Sequence, residues 1–421
     1  MSIYTLEGPA GCGKTYQMME RLKLSLQQYP LMDTQRVLAL SFMHGSRRRL
    51  ADRLSQIPEL RRKFECVTID SFAQRVCKRW SALGEYLGLP ECDSQDFNQQ
   101  CANTASLFGD CYVRQWVGIS FPIVIIDEAQ DLSAERLAII QKLHEECILI
   151  VAADEFQCLV EGLKPNPFVT WAPTVCMPEI LTVPRRTNVP ALLAAAGNIR
   201  NGRAPATALG FSINVTATAP LAAAYVTNAI AWNGGASIAL LTPSISGGWA
   251  SQITDIVATK KNKQGNGPFT FRWERSDTAY VDTILAENPL LESYTVIEAI
   301  QFVGSLPGPD GPWASAQNWI LKQRNVLGIE VIEGIKIREI LVRSVTLHRQ
   351  WFTNSHTGFR AMTIHQAKNR EFDGVIVVWP HTVGGSDDQK RRLLYNAVTR
   401  AKRWCQVLVQ AEKIKKYPPF S

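Results

Sequence analysis

Gly8-Pro9-Ala10-Gly11-Cys12-Gly13-Lys14-Thr15 has the residue types and spacing of a loop that holds phosphate. Glycines let successive backbone N–H groups converge on an anion, Lys14 brings a positive charge to the outer oxygens, and Thr15 offers a hydroxyl to Mg²⁺. Gly8, Gly11, Gly13, Lys14 and Thr15 are therefore candidate nucleotide contacts. A second acidic site follows far downstream, where Asp127-Glu128-Ala129-Gln130-Asp131 closes the apolar run Phe121-Pro122-Ile123-Val124-Ile125-Ile126. Asp127 is placed to hold Mg²⁺ through water, and Glu128 to orient and deprotonate an attacking water. An acidic helix start would explain one carboxylate but not the buried strand ahead of it.

These groups need a scaffold that ends strands at one common edge. Short apolar, β-branched runs at 3–6, 37–42, 123–126, 148–152, 238–241 and 375–378 read as buried parallel strands. Amphipathic stretches at 16–28 and 134–144 read as the helices between them. Strand alternating with helix implies an α/β fold with ligands at the carboxyl ends of the strands. Two clusters separate: residues 1–175, with an insertion at about 78–118 that lacks strand patterning, and residues 176–269 resumed at 356–421. Between them, 270–355 turns irregular and helical, with a Pro/Gly loop at Leu306-Pro307-Gly308-Pro309-Asp310-Gly311-Pro312.

At 421 residues the chain is long enough for two or three compact units, and 46% hydrophobic with 20% charged residues excludes a disordered tail or fibre. The net charge of +7 comes from short runs such as Arg47-Arg48-Arg49, Lys260-Lys261 and Lys390-Arg391-Arg392, which is mild support for a polyanionic partner. Ten cysteines without C-x-x-C or zinc spacing read as reduced thiols. No leader and no apolar stretch of spanning length is found, so the expectation is a cytoplasmic protein without a membrane partner.

Taken in order, the motifs resemble those of the superfamily 1 helicases of the UvrD/Rep type. Asp127-Glu128-Ala129-Gln130-Asp131 after a complete phosphate loop is similar to the family's second motif, and Leu38-Ala39-Leu40-Ser41-Phe42 to its motif Ia. Val67-Thr68-Ile69-Asp70-Ser71-Phe72 resembles motif Ib in the form seen in RecB/AddA-like relatives, and Ala153-Asp154-Glu155-Phe156-Gln157 resembles motif III. Pro184-Arg185-Arg186-Thr187 stands where the family has a Tyr-Arg-Ser element. Motif V is matched by Met362-Thr363-Ile364-His365-Gln366-Ala367-Lys368-Asn369-Arg370-Glu371-Phe372, and motif VI by Leu394-Tyr395-Asn396-Ala397-Val398-Thr399-Arg400-Ala401.

The resemblance implies two RecA-like P-loop domains with parallel sheets and short helical insertions, the 270–355 segment being 2B-like. ATP and Mg²⁺ are the implied cofactors, with hydrolysis between the two domains. Gln157 and Arg186 would sense the γ-phosphate, Arg400 would be the arginine finger, Glu371 would lie near the ribose, and Arg185 takes the place of the tyrosine that stacks on the base. Ser41, Phe42, Thr68, Thr363 and His365 would contact single-stranded or tailed duplex DNA, with 3′ to 5′ movement.

The chain departs from the pattern in three places. Only seven residues precede Gly8, so the family's upstream glutamine segment for adenine is missing from this sequence. Cys158-Leu159-Val160 stand where base-stacking aromatics are common, and Asn369-Arg370 replaces Gly-Leu. A rival expectation is an ATP-gated DNA sensor or regulatory subunit working with a protein partner such as a nuclease; a small-molecule kinase would leave the late arginines unexplained.

Overall fold

The computed structural model describes residues 2–42, 44–92, 96–245, 248–274, 277–352 and 358–421. The first sheet domain contains β1 (Ile3–Glu7), α1 (Lys14–Gln28), β2 (Val37–Ser41), α2 (His44–Ser55), β3 (Phe64–Thr68), α3 (Ile69–Arg79), α4 (Ser81–Tyr86), α5 (Phe97–Leu107), α6 (Cys111–Ser120), β4 (Ile123–Ile126), α7 (Ala134–Leu143), β5 (Ile148–Ala153), α8 (Pro167–Val175) and β6 (Glu179–Ile180). Its strand order is β3-β2-β4-β5-β1-β6, and every pairing is parallel. The segment at about 78–118 is helical among its described residues. The sheet takes in residues 179–180, beyond the expected boundary at 175.

Alternation along these strands explains why they are apolar throughout. Val37, Ala39, Ile123, Ile125 and Ile150 face a core shared with Met18, Leu22, Leu50 and Leu54 of α1 and α2. Leu38, Leu40, Val124, Ile126 and Leu149 face the opposite core, with Phe72, Val76, Phe108 and Ile140. Each fully buried aliphatic side chain contributes roughly 1.5–3 kcal/mol, and covering both faces fixes the register, since a one-residue slip would exchange the two cores.

The second sheet domain begins with α9 (Pro190–Arg200), β7 (Phe211–Val215), α10 (Ala219–Asn233), β8 (Ser237–Thr242) and α11 (Trp249–Thr259). The chain then forms a separate compact unit over 271–362, with β9 (Arg272–Trp273), α12 (Asp277–Glu287), β10 (Ser293–Thr295), α13 (Val296–Ser305), α14 (Asp310–Leu327), β11 (Val331–Glu333), α15 (Gly334–Phe352) and β12 (Gly358–Thr363). That unit has its own core around Val281, Ala299, Val303, Ala316, Ile320 and Leu341. Thr295 and Glu298 close a reciprocal capping box at the start of α13. The boundary expected at 355–356 lies outside the described residues. The second sheet is completed by β13 (Phe372–Trp379), α16 (Asp387–Val398) and β14 (Ala401–Val409), and β7, β14, β13 and β8 lie side by side in parallel. The chain is thus an α/β protein with two RecA-like parallel sheets.

Candidate nucleotide and nucleic-acid site

The loop from Gly8 to Gly13 joins the carboxyl end of β1 to the start of α1. Gly11 and Gly13 hold φ of 80° and 88°, a left-handed region that side chains rarely enter. There is also no room for one: a Cβ on Gly11 would stand 2.8 Å from Arg186 Cβ, and on Gly13 2.6 Å from Arg185 Cδ. Both arginines are seated by their backbones, since the N–H groups of Arg185 and Arg186 donate to the Gly11 carbonyl at 2.7 and 3.1 Å. Lys14 curls back, its Nζ donating to the carbonyls of Gly8 at 2.7 Å and Pro9 at 3.2 Å and lying 3.8 Å from Asp154. The Arg185 guanidinium lies 4.6 Å over the ring of Tyr16, the residue after Thr15, leaving an aromatic-cation pair beside the loop.

Asp127 and Glu128 sit at the carboxyl end of β4. Thr15 Oγ1 donates to Asp127 Oδ2 at 3.4 Å, which brings hydroxyl and carboxylate from two elements together. Burial and the charge of Glu128 push the Asp127 carboxyl up to about 6. Glu128 goes the other way: burial opposes its charge, but Lys368 and Lys14, with a hydrogen bond from Gln130, hold it below the usual carboxylate range. A threonine hydroxyl beside two carboxylates is an oxygen donor set suited to Mg²⁺. Glu128 also has φ 62° without being glycine, and left-handed backbone at a side chain of this kind costs of order 1–3 kcal/mol and clusters at functional sites.

The second sheet domain reaches this site through several side chains. Arg400, just after α16, is 1% exposed and donates from Nη2 to Gln157 Oε1 at 3.2 Å, while Gln157 Nε2 donates to Asp154 Oδ2 at 2.8 Å. Burial, then the charges of Arg186 and Arg49, pull the Arg400 guanidinium down to about 9. Arg186 Nε meets Glu371 Oε1 at 2.9 Å and its Nη1 donates to the Thr399 carbonyl at 2.8 Å. Glu371 also meets Lys402 at 3.2 Å. Gln157, Arg186, Glu371 and Arg400 are therefore assembled around the loop and the acidic pair.

Several neighbours lay outside the sequence-derived set. Lys368 forms a buried ion pair with Asp131 at 2.5 Å. Tyr395 Oη accepts the Ala10 N–H at 2.7 Å, and Arg200 Nη1 donates to Asp154 Oδ1 at 2.7 Å while lying over the Tyr395 ring. Tyr395 and Lys368 stood inside motifs already singled out. Arg200 and Tyr16 carry no local signal.

The candidate DNA contacts fall at strand ends, in two groups. Ser41 and Thr68 are register partners at the carboxyl ends of β2 and β3, with Phe42 next to them and packed against the first core. Ser41 is fully buried. Thr68 caps α3, accepting the Ser71 N–H at 3.1 Å, so a structural duty occupies its hydroxyl. Thr363 ends β12 and its hydroxyl accepts the Gln366 N–H at 3.2 Å, while His365 follows it exposed on the turn. The Ile364 N–H donates to the Thr242 carbonyl, which sets this turn at the carboxyl end of β8.

Two results are expected from this geometry. Tyr395→Phe removes the acceptor for the part-buried Ala10 N–H and a partner of Arg200, which should cost about 1–3 kcal/mol and lower the thermal midpoint of the nucleotide-free protein by roughly 2–4 °C per kcal/mol; an unchanged midpoint would mean that the bond carries no load. Glu371 is the second case. Although burial opposes it, Arg186 and Lys402 hold its carboxyl at about 2, so the stability it adds is present above the unfolded carboxylate pKa of roughly 4.3 and is lost as pH falls toward 2. The stability advantage of the native chain over Glu371→Gln in chemical unfolding should shrink across that window, and an advantage constant with pH would contradict the ion-pair reading.

Two parallel-sheet domains, one bearing a complete phosphate loop and the other laying an arginine toward it, define a P-loop core of helicase type. Residues 358–408 match the family described as UvrD-like helicase C-terminal domain, and residues 1–163 match the AAA domain family. Residues 358–408 thus carry the UvrD-like helicase C-terminal domain, in line with the resemblance of the motifs to the UvrD-like superfamily 1 helicases. No curated protein matches it. Among solved structures it is similar to the Arterivirus nonstructural protein 10 (helicase), with a TM-score of 0.42 and 11% identity over 100% of this chain and 62% of that one. A structure of that helicase in complex with DNA gives a TM-score of 0.38 and 12% identity, over 99% and 63%. The chain therefore spans somewhat less than two thirds of the helicase chains it is similar to. Among the described residues no helix is long and apolar enough to cross a membrane.

Proposed function

We propose that the chain is an ATP-dependent motor on single-stranded DNA, a helicase or translocase that hydrolyses ATP between its two sheet domains. The observation that carries this reading is the Arg400–Gln157 contact, because it links a second-domain guanidinium to the motif that also holds Asp154, 3.8 Å from the Lys14 ammonium. Lys14 and the amides of the loop bind the phosphates, with Gly8, Gly11 and Gly13 keeping the backbone close. Thr15 and Asp127 would hold Mg²⁺, which when bound would supply positive charge against the phosphates. Glu128 orients the attacking water and accepts its proton, Gln157 and Arg186 read the γ-phosphate, and Arg400 neutralises charge on the transferred group. Arg185 and Tyr16 flank the base, and Glu371 lies toward the ribose. Closing and opening of the cleft then lets Phe42, Thr363 and His365, beside the strand ends that Ser41 and Thr68 shape, grip and release the strand in turn, moving 3′ to 5′.

The test is ATP hydrolysis with and without single-stranded DNA, paired with displacement of a labelled strand from a 3′-tailed duplex and of streptavidin from biotinylated single strands. Stimulation with displacement supports the motor; a hydrolysis rate indifferent to DNA rejects it. One observation favours the alternative of an ATP-gated sensor or regulatory subunit working with a nuclease. Phe156, the aromatic of motif III, stands edge-on to Tyr395 at 5.0 Å, packed rather than open to a base, which predicts a looser hold on the strand.

A further inference from the structure

The second sheet domain has a groove of about 1030 Å³ that the nucleotide chemistry does not use. One wall is α10, whose fifteen residues include no Asp, Glu, Lys or Arg. A helix at the surface normally carries charge on its outer face. Here the inner face packs Ala222, Ala223, Val226 and Ile230 into the domain, while Leu221, Tyr225, Asn228 and Trp232 form an outward stripe along the groove at spacings of four, three and four. Leu221 is 45% exposed and Trp232 68%, and Leu209 across the groove is 96% exposed. Exposed apolar side chains grouped in this way mark a surface that is covered in use.

The charge on the rim is of one sign. Lys260, Lys261 and Lys263 line the groove, and no Asp or Glu does; these are the lysines of a basic run that the nucleotide site leaves unexplained. Trp404, Cys405 and Gln406 from the middle of β14 and Phe211, Ser212 and Asn214 of the edge strand β7 also line it, so the groove runs along the edge of the sheet beside α10. The candidate nucleotide and DNA residues of this domain lie at the carboxyl ends.

We infer that this groove is the docking site for an acidic amphipathic helix of a partner protein. From Leu221 to Trp232 the stripe is three helical turns long, about 16 Å at 1.5 Å per residue, which matches a helix that presents apolar side chains at i, i+4 and i+7. The apolar side chains of that helix cover Leu209, Leu221 and Trp232, and its carboxylates meet Lys260, Lys261 and Lys263. Lysines on the rim steer and select, while Trp232, once covered by the partner, supplies most of the affinity.

The experiment measures fluorescence anisotropy of a labelled, monomeric helical peptide with one stripe of Leu and Phe and Glu elsewhere, added to the full chain. Its Lys counterpart and a labelled oligothymidylate are run beside it. The Glu peptide is expected to bind, Trp232→Ala to weaken it by at least about tenfold, and Lys260→Glu, Lys261→Glu and Lys263→Glu combined to weaken it by a factor that shrinks with added salt. Trp232→Tyr should restore most of the binding, and all variants should keep the native rate of ATP hydrolysis, which separates loss of the groove from loss of fold. The proposal falls if the Glu and Lys peptides bind equally, or if neither binds. It falls too if these substitutions reduce only oligothymidylate binding, which would make the groove a nucleic-acid platform.

Discussion

Glu128→Gln is expected to slow ATP hydrolysis by ~10²- to 10⁴-fold, the usual contribution of a positioned general base, while nucleotide affinity stays within about threefold. The substitution is nearly isosteric, keeps an oxygen acceptor for Gln130, and leaves Asp127 and Thr15 in place. It removes only the negative charge that Lys368 and Lys14 hold ionised. The left-handed backbone at Glu128 points the same way, because a strained conformation that fixes a carboxylate between two cations has no evident packing use. Steady-state hydrolysis together with titration of a fluorescent ATP analogue separates the two quantities. A variant that hydrolyses ATP at the native rate would remove Glu128 from the chemistry, and one that fails to bind ATP would make its role structural.

Arg400→Ala should have the larger effect, a loss of ~10³ to 10⁵ in rate if the guanidinium stabilises transferred phosphoryl charge. The electrostatics support this without reference to any ligand. Burial and two neighbouring arginines, Arg186 and Arg49, pull the Arg400 pKa down to about 9. Glu371 and Glu128 offset part of this repulsion, Glu371 by its ion pair with Arg186, and the Arg400 charge that remains uncompensated suits a polyphosphate. The same crowding predicts that ATP stabilises the native protein against heat more than it stabilises Arg400→Ala, since only the native chain gains relief of the repulsion. Arg400→Lys tests geometry apart from charge: an ammonium cannot reproduce the planar fork, so the rate should recover only in small part. Hydrolysis in Arg400→Ala at more than a tenth of the native rate would assign the finger to another residue.

How much could be read in advance follows from what each residue was doing. Buried strands such as 123–126 and 148–152 declared themselves because both faces are covered and no polar residue is tolerated. Residues 64–68 and 211–215 did not, because each lies at an edge of its sheet and keeps partly exposed residues such as Glu65 and Asn214. The strand at 401–409 opens with exposed Lys402 and Arg403, which hid it. In the site, the loop and the acidic pair are local patterns and were legible. The Arg200–Asp154–Tyr395 contacts join residues 46 to 241 positions apart and leave no spacing to recognise. Thr68 carried two patterns at once: a hydroxyl three residues before Ser71 is also a helix-cap signal, and the structure shows that cap.

Two groups of the phosphate loop already have partners within the protein. Lys14 is bonded to the carbonyls of Gly8 and Pro9, and the Ala10 N–H to Tyr395 Oη. Under the proposed function, binding ATP would be an exchange of partners at these groups, and its affinity would report a difference between two sets of hydrogen bonds. Since Tyr395 belongs to the second domain, releasing it from the loop would tell that domain that phosphate has arrived before any bond is cleaved. The stroke would then be timed by the arrival of phosphate at the loop.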